Sequence, residues 1–154
     1  MTVKVAINGF GRIGRNVLRG IIESGRQDIE VVAINDLGPV DTNAHLLQFD
    51  SIHGRFPSPV KVDNGGIDVG RGRIRVTAER DPASLKWSDI DVALECTGLF
   101  TDCDKAALHL KNGSKRVLVS APSSGADKTI VFGVNQERLT ADDHIVSNAS
   151  CTTN

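Results

Sequence analysis

The 154 residues carry 18 Lys and Arg against 19 Asp and Glu, a formal net charge of −1. This balance, without a basic run, gives no electrostatic case for nucleic acid or an anionic membrane as partner. A signal peptide or bilayer span is not expected, because no apolar run is long enough and the N-terminus lacks the pattern.

The length fits one domain with a full core. Cys96, Cys103 and Cys151 are odd in number and scattered, which implies neither a disulfide framework nor a metal site. Reduced thiols suit a cytoplasmic protein.

Val3, Val5 and Ile7 alternate with Lys4 and Ala6, the pattern of a buried strand. The strand breaks at Gly9, Gly11 and Gly14, after which Ile13, Val17, Leu18, Ile21 and Ile22 recur at helical spacing. A strand, a G-x-G-x-x-G turn and a helix in this order suit a dinucleotide pyrophosphate. Gly9 permits the tight turn, Gly11 lets the backbone approach the phosphates, and Gly14 lets helix and strand pack closely. The helix N-terminus adds free N–H groups and a positive dipole end. The helix is expected to end near Gly25.

Glu30–Asn35 is a second buried strand, with Asp36 at its C-terminal end, about twenty residues beyond the last glycine. There a carboxylate accepts hydrogen bonds from adenine-ribose hydroxyls and repels a 2′-phosphate, which favours NAD over NADP. The competing role for an Asp before Gly38-Pro39 is to shape a turn. Asp41 and Thr42 are expected to cap a helix that stops near Gly54 and Pro57. His45 and His53 lie here, and neither has a second ligand at metal spacing.

From Val60 to Ala78 the pattern shifts to short alternating segments split by Gly65-Gly66 and Gly70-Arg71-Gly72, predicting an antiparallel insertion. Arg71, Arg73 and Arg75 form a solvated face. Asp91–Cys96 returns to the parallel-strand style and runs into Thr97-Gly98. Thr101 is expected to cap a helix through Leu110 that ends at Gly113. Arg116–Ser120, Thr129–Val134 and His144–Ser147 are further predicted strands. The alternation predicts a doubly wound, mostly parallel α/β sheet, with Gly9, Asp36, Thr97, Ser120 and Ser150 at or beyond C-terminal strand ends.

The last predicted strand leads into Asn148-Ala149-Ser150-Cys151-Thr152-Thr153-Asn154. A cysteine where a strand turns into a new element is placed to react, and a following helix N-terminus favours thiolate. A buried structural cysteine is the alternative.

Four stretches carry a resemblance: Gly9-Phe10-Gly11-Arg12-Ile13-Gly14-Arg15, Asn35-Asp36-Leu37, Asp50-Ser51-Ile52-His53-Gly54-Arg55-Phe56, and Ser147–Asn154. Together they resemble the phosphorylating glyceraldehyde-3-phosphate dehydrogenase family along the whole chain. The resemblance implies oxidation of glyceraldehyde 3-phosphate with NAD and inorganic phosphate, giving an acyl phosphate. It gives Cys151 the role of nucleophile, forming a thiohemiacetal and then a thioester. Ser150 and Thr152 match the phosphate-binding end of the site. Phe10, Arg12 and Ile13 belong to the pyrophosphate turn with Gly9 and Gly11. Asp36 matches the ribose acid, Arg80 a contact near the adenine, and Ser120 one near the nicotinamide, with Thr97 also in the cofactor set.

By the same resemblance, residues 1–149 form the NAD-binding domain and 150–154 open a catalytic domain that continues after Asn154. That second domain would supply the catalytic histidine, the remaining phosphate ligands and most of a homotetramer interface. His144 lies seven residues before Cys151, about 23 Å along an extended strand, so it does not substitute. The family's last helix packs back onto this domain, which implies an apolar groove here. Two alternatives stand beside this reading. One is the same half of erythrose-4-phosphate dehydrogenase, whose members tend to have Glu where Asp36 stands. The other is an NAD-binding module without catalysis.

Overall fold

The computed structural model describes residues 1–152. Its first unit is β1 (Val3–Asn8), α1 (Arg12–Glu23) and β2 (Ile29–Asn35), with β1 and β2 parallel. Strand alternation sends Val5 and Ile7 into one core and Ala6 into the other. Leu18 of α1 packs on the Val5–Ile7 side, and Ile21 and Ile22 cover its edge.

Pro39 starts α2 (Val40–Gln48), so Asp41 and Thr42 fall inside the first turn rather than capping it. The helix is shorter than expected. The Gln48 side chain turns to the downstream backbone, donating to the Phe56 carbonyl at 2.9 Å and accepting from the Val60 N–H at 2.9 Å. Phe49–Asp50 (β3) then pairs antiparallel with Gly54–Arg55 (β4). Arg19, 3% exposed, ties α1 to α2 and to this hairpin by donating to the Leu47 and Gly54 carbonyls, both at 3.1 Å.

The predicted insertion is β5 (Lys61–Asp63), β6 (Gly66–Asp68) and β7 (Arg73–Thr77), joined as an antiparallel meander. Its last strand pairs parallel with β2, so the meander extends the main sheet. Next come β8 (Val92–Glu95), α3 (Cys103–Ala106), α4 (Leu108–Lys111), β9 (Arg116–Val119), β10 (Lys128–Thr129) and β11 (Ile145–Ser147). Asp102, not Thr101, caps α3, accepting the Lys105 N–H at 3.0 Å. Thr129–Val134 does not continue as a strand. Asn135 accepts the Val131 N–H and Gln136 accepts the Gly133 N–H, each at 2.7 Å, folding that stretch into a turn.

The strand order is β10-β11-β9-β8-β1-β2-β7-β6-β5. Within this nine-stranded sheet the pairings are parallel except β5–β6 and β6–β7. One core lies under α1, α2 and the meander, and the other, with Trp87, Ile90 and Ala93, under α3 and α4. The strand order reverses between the parallel neighbours β1 and β8, and the crevice beyond their C-terminal ends is the ligand position of such sheets. No helix of the described residues is long and apolar enough to cross a membrane.

Candidate functional site

The crevice holds a cavity of about 340 Å³ whose walls include Gly9, Gly11, Asp36, Arg80 and Thr97, all anticipated from the sequence. Gly9 has φ +88°, and a Cβ there would lie 2.8 Å from the Thr97 backbone nitrogen. The glycine is therefore required twice, for the conformation and for the approach to β8. At Gly14 a Cβ would meet the Gly9 carbonyl oxygen at 2.2 Å, so α1 can rest this close to β1 only without a side chain. At Gly11, the N-cap of α1, a Cβ would meet nothing within 4 Å. Open space in front of uncapped N–H groups at a helix start fits a diphosphate.

Asp36 serves both roles considered for it. Its Oδ1 accepts the Gly38 N–H at 2.8 Å and the Asn43 amide at 3.1 Å, shaping the turn. Its Oδ2 accepts the Phe10 N–H at 2.8 Å and keeps a second acceptor direction, since a carboxylate oxygen has two. Burial works against ionisation of this carboxyl. The hydrogen bonds from Phe10, Asn43 and Gly38 outweigh it and hold the pKa below the ordinary Asp value. A fixed, ionised acceptor at the end of β2 suits ribose hydroxyls.

Of the glycine turn's residues, Gly9 and Gly11 alone line this cavity. Phe10 is fully buried, and only its backbone faces the site, through Asp36. The Arg12 guanidinium pairs with Asp50 at 2.7 and 3.3 Å. Arg12 and the N–H groups of His53 and Ile52 hold the Asp50 carboxyl well below the usual range.

A second cavity, about 260 Å³, gathers Ile13, Ser120, Ser150 and Cys151 against Val17, Leu94 and Leu118. Cys96 lines both cavities and forms the partition between them. Its burial pushes the thiol up to about 11, so it stays protonated. Cys151 is exposed, and Thr152 beside it donates its N–H to Ser150 Oγ at 3.2 Å. Ala149 has φ +64°, and the Ser150 N–H donates to the Asn148 carbonyl at 2.8 Å. This is a strained γ-turn directly before the cysteine. The helix expected after Cys151 falls partly on Thr153 and Asn154, outside the described residues.

Sequence reading missed the polar floor of the first cavity, Asn8 and Asn35, and its Leu37, Leu99 and Phe100 walls. The available signal was position. Asn8 and Asn35 end β1 and β2, where ligand-facing residues of such sheets stand.

Residues 3–103 match the family model described as glyceraldehyde 3-phosphate dehydrogenase, NAD binding domain. The chain belongs to this family. All of it aligns, at 71% identity over 154 residues, with 46% of glyceraldehyde-3-phosphate dehydrogenase from Cereibacter sphaeroides. The same enzyme from Xanthobacter flavus is 71% identical over 156 residues, covering all of this chain and 47% of that protein. A plasmid-encoded glyceraldehyde-3-phosphate dehydrogenase of Cupriavidus necator is 59% identical over 158 residues, again all of this chain and 47% of that protein. The chain spans about half the length of the curated relatives it matches. For an NAD-binding domain of the glyceraldehyde-3-phosphate dehydrogenase family, the open space at Gly11 and the fixed acid at Asp36 fit the cofactor's two ends of recognition, diphosphate and ribose.

Proposed function

We propose that this chain is the cofactor-binding half of an NAD-dependent, phosphorylating glyceraldehyde-3-phosphate dehydrogenase, cytoplasmic and homotetrameric when complete. The observation that carries the reading is the adjacency of the two cavities, with Cys96 as their common wall. One has the floor for a dinucleotide and the other presents Cys151. The relatives' name is what points to glyceraldehyde 3-phosphate as substrate.

In this mechanism the backbone N–H groups of Gly11, Arg12 and Ile13 would hold the diphosphate, and Asp36 Oδ2 would accept from the adenine ribose. Arg80 and Thr97 would hold the adenosine end, and Ser120 would contact the nicotinamide end. The Cys151 thiolate attacks the aldehyde carbon, forming a C–S bond as the C=O π pair moves to oxygen, which takes the proton that the base removed from the thiol. Bound NAD supplies the hydride acceptor. As the hydroxyl gives its proton to a base, the carbon loses hydride and becomes a thioester. An oxygen of inorganic phosphate then attacks that carbon, the C–S bond breaks, and acyl phosphate leaves with the thiolate restored. Ser150 and Thr152 orient the phosphate groups. No histidine lines the Cys151 cavity among the described residues, so the base is assigned to a partner half.

Joining this chain to the downstream half of the Cereibacter sphaeroides relative tests the proposal. Aldehyde- and phosphate-dependent NADH production should appear in the fusion, be lost in Cys151→Ser, and be absent from the isolated chain. Turnover by the isolated chain, abolished by Cys151→Ser, would show that the base is misassigned.

A further inference from the structure

Beneath the nucleotide cavity runs a buried polar chain that the glycine turn and Asp36 do not require. Glu95, the last residue of β8, is 1% exposed, yet its carboxylate meets four donors. Oε2 accepts from Asn8 Nδ2 at 2.7 Å and from His109 Nε2 at 2.8 Å. Oε1 accepts the Thr97 N–H at 2.9 Å and the Thr97 hydroxyl at 2.5 Å. The directions are fixed by the outer bonds. Asn8 uses its Oδ1 to accept from Asn35 at 2.8 Å, leaving its NH₂ for Glu95. Thr97 Oγ1 accepts the Leu99 N–H at 3.0 Å, so its own proton goes to Glu95. An ionised carboxylate has about four acceptor sites, and here each is taken.

The chain continues to the other side of the cavity. Asn35 donates to the Glu79 carbonyl and accepts the Glu79 N–H, both at 2.8 Å. At the opposite end His109 is fully buried, stacked on Trp87 with ring centroids 5.2 Å apart. Its Nδ1 finds no partner among the described residues. A proton there would be an orphaned buried donor, so the ring carries its proton on Nε2 and gives it to Glu95.

We propose that Glu95, braced by His109, is the positioning residue of the nucleotide cavity. Through Asn8 and Asn35 it holds the Glu79–Arg80 wall, and through Thr97 the Leu99–Phe100 wall, so it sets the distance between them. Neither Glu95 nor His109 lines the cavity, so both act through the residues that do. A fully satisfied network in a low-dielectric interior is rigid, and one missing acceptor leaves a buried donor unpaired. The inference rests on reading this cavity as the NAD site.

The test is calorimetric titration of the chain with NAD and with ADP-ribose, well below the unfolding transition. Glu95→Gln keeps the volume but turns an NH₂ toward two donors. Its affinity for both ligands should fall about tenfold, the worth of one charged hydrogen bond. Trp87, the only tryptophan, stacks on His109, so unchanged emission shows the surrounding core intact while affinity falls. His109→Gln, which can still donate to Glu95, should bind near wild type, and His109→Leu should lose affinity several-fold. The His109 pair decides the matter if Glu95→Gln does not fold. A folded Glu95→Gln or His109→Leu protein that binds NAD like the wild type would overturn the inference. A wild-type chain that does not bind NAD would overturn the cavity assignment and the inference with it.

Discussion

The carboxylate of Asp36 accepts the backbone N–H of Phe10 at 2.8 Å, joining the end of β2 to the glycine turn after β1. The residue read as a ribose acceptor therefore also holds the diphosphate turn in place. In the proposed dinucleotide site, this one side chain would organise both halves.

Asp36→Ala should then cost stability as well as cofactor affinity. It leaves the N–H groups of Phe10 and Gly38 without their acceptor. The expected destabilisation is about 1–3 kcal/mol, measurable as a lower urea midpoint without cofactor present. An Ala variant as stable as the parent would mean that the turn holds itself.

Much of this arrangement was legible in the sequence because local rules agreed with the fold. Val3–Gly14 announced the strand, turn and helix, and Asp36 could be placed by spacing alone. What escaped was set by long-range side-chain bonding. Arg19 sits at a helical position next to Leu18, and nothing local says that it will be buried against the Leu47 and Gly54 carbonyls. Thr129–Val134 has strand propensity, but Asn135 and Gln136 fold it into a turn through side-chain bonds. Glu95 ends a strand and His109 stands on a helix, and nothing local to either residue links them. Their partnership across 14 positions needed the sheet and helix in place.

Ala149→Gly should stabilise the chain. At φ +64° an L-side chain pays a steric cost that glycine avoids. After glycine's greater unfolded-state entropy, the gain should be about 0.5–1 kcal/mol. Ala149→Val should destabilise by at least that much. Thermal denaturation of the three proteins gives the order, and Val equal to Ala would contradict the strained turn.

The cysteines should differ sharply towards an alkylating reagent at pH 8. Cys151 is exposed and should be labelled first, whereas Cys96, buried and with its thiol pushed up to about 11, should be last. Peptide mapping by mass spectrometry after partial labelling gives the sequence of modification. Early labelling of Cys96 would show that the wall between the cavities opens in solution.

Acid should weaken the fold through particular aspartates. The Lys115 ammonium and the Lys4 N–H hold Asp91 below its ordinary 3.8, and the Ile145 and His144 N–H groups do the same for Asp127. Asp36 follows, its hydrogen bonds overcoming burial. A carboxyl depressed in the folded state contributes its full stability above the unfolded value. That contribution is lost as pH falls through the folded value. The urea midpoint should hold above about pH 5 on account of these groups and fall below about pH 4. Asp127→Asn should flatten the fall, and an unchanged slope would remove Asp127 from the account.

The most direct test of the cofactor site is a pair of calorimetric titrations of the intact chain, one with NAD and one with NADP. NAD should bind at least about tenfold tighter, because the 2′-phosphate would meet the ionised Asp36 carboxylate at the end of β2. Equal affinity for the two, or tighter binding of NADP, would contradict it.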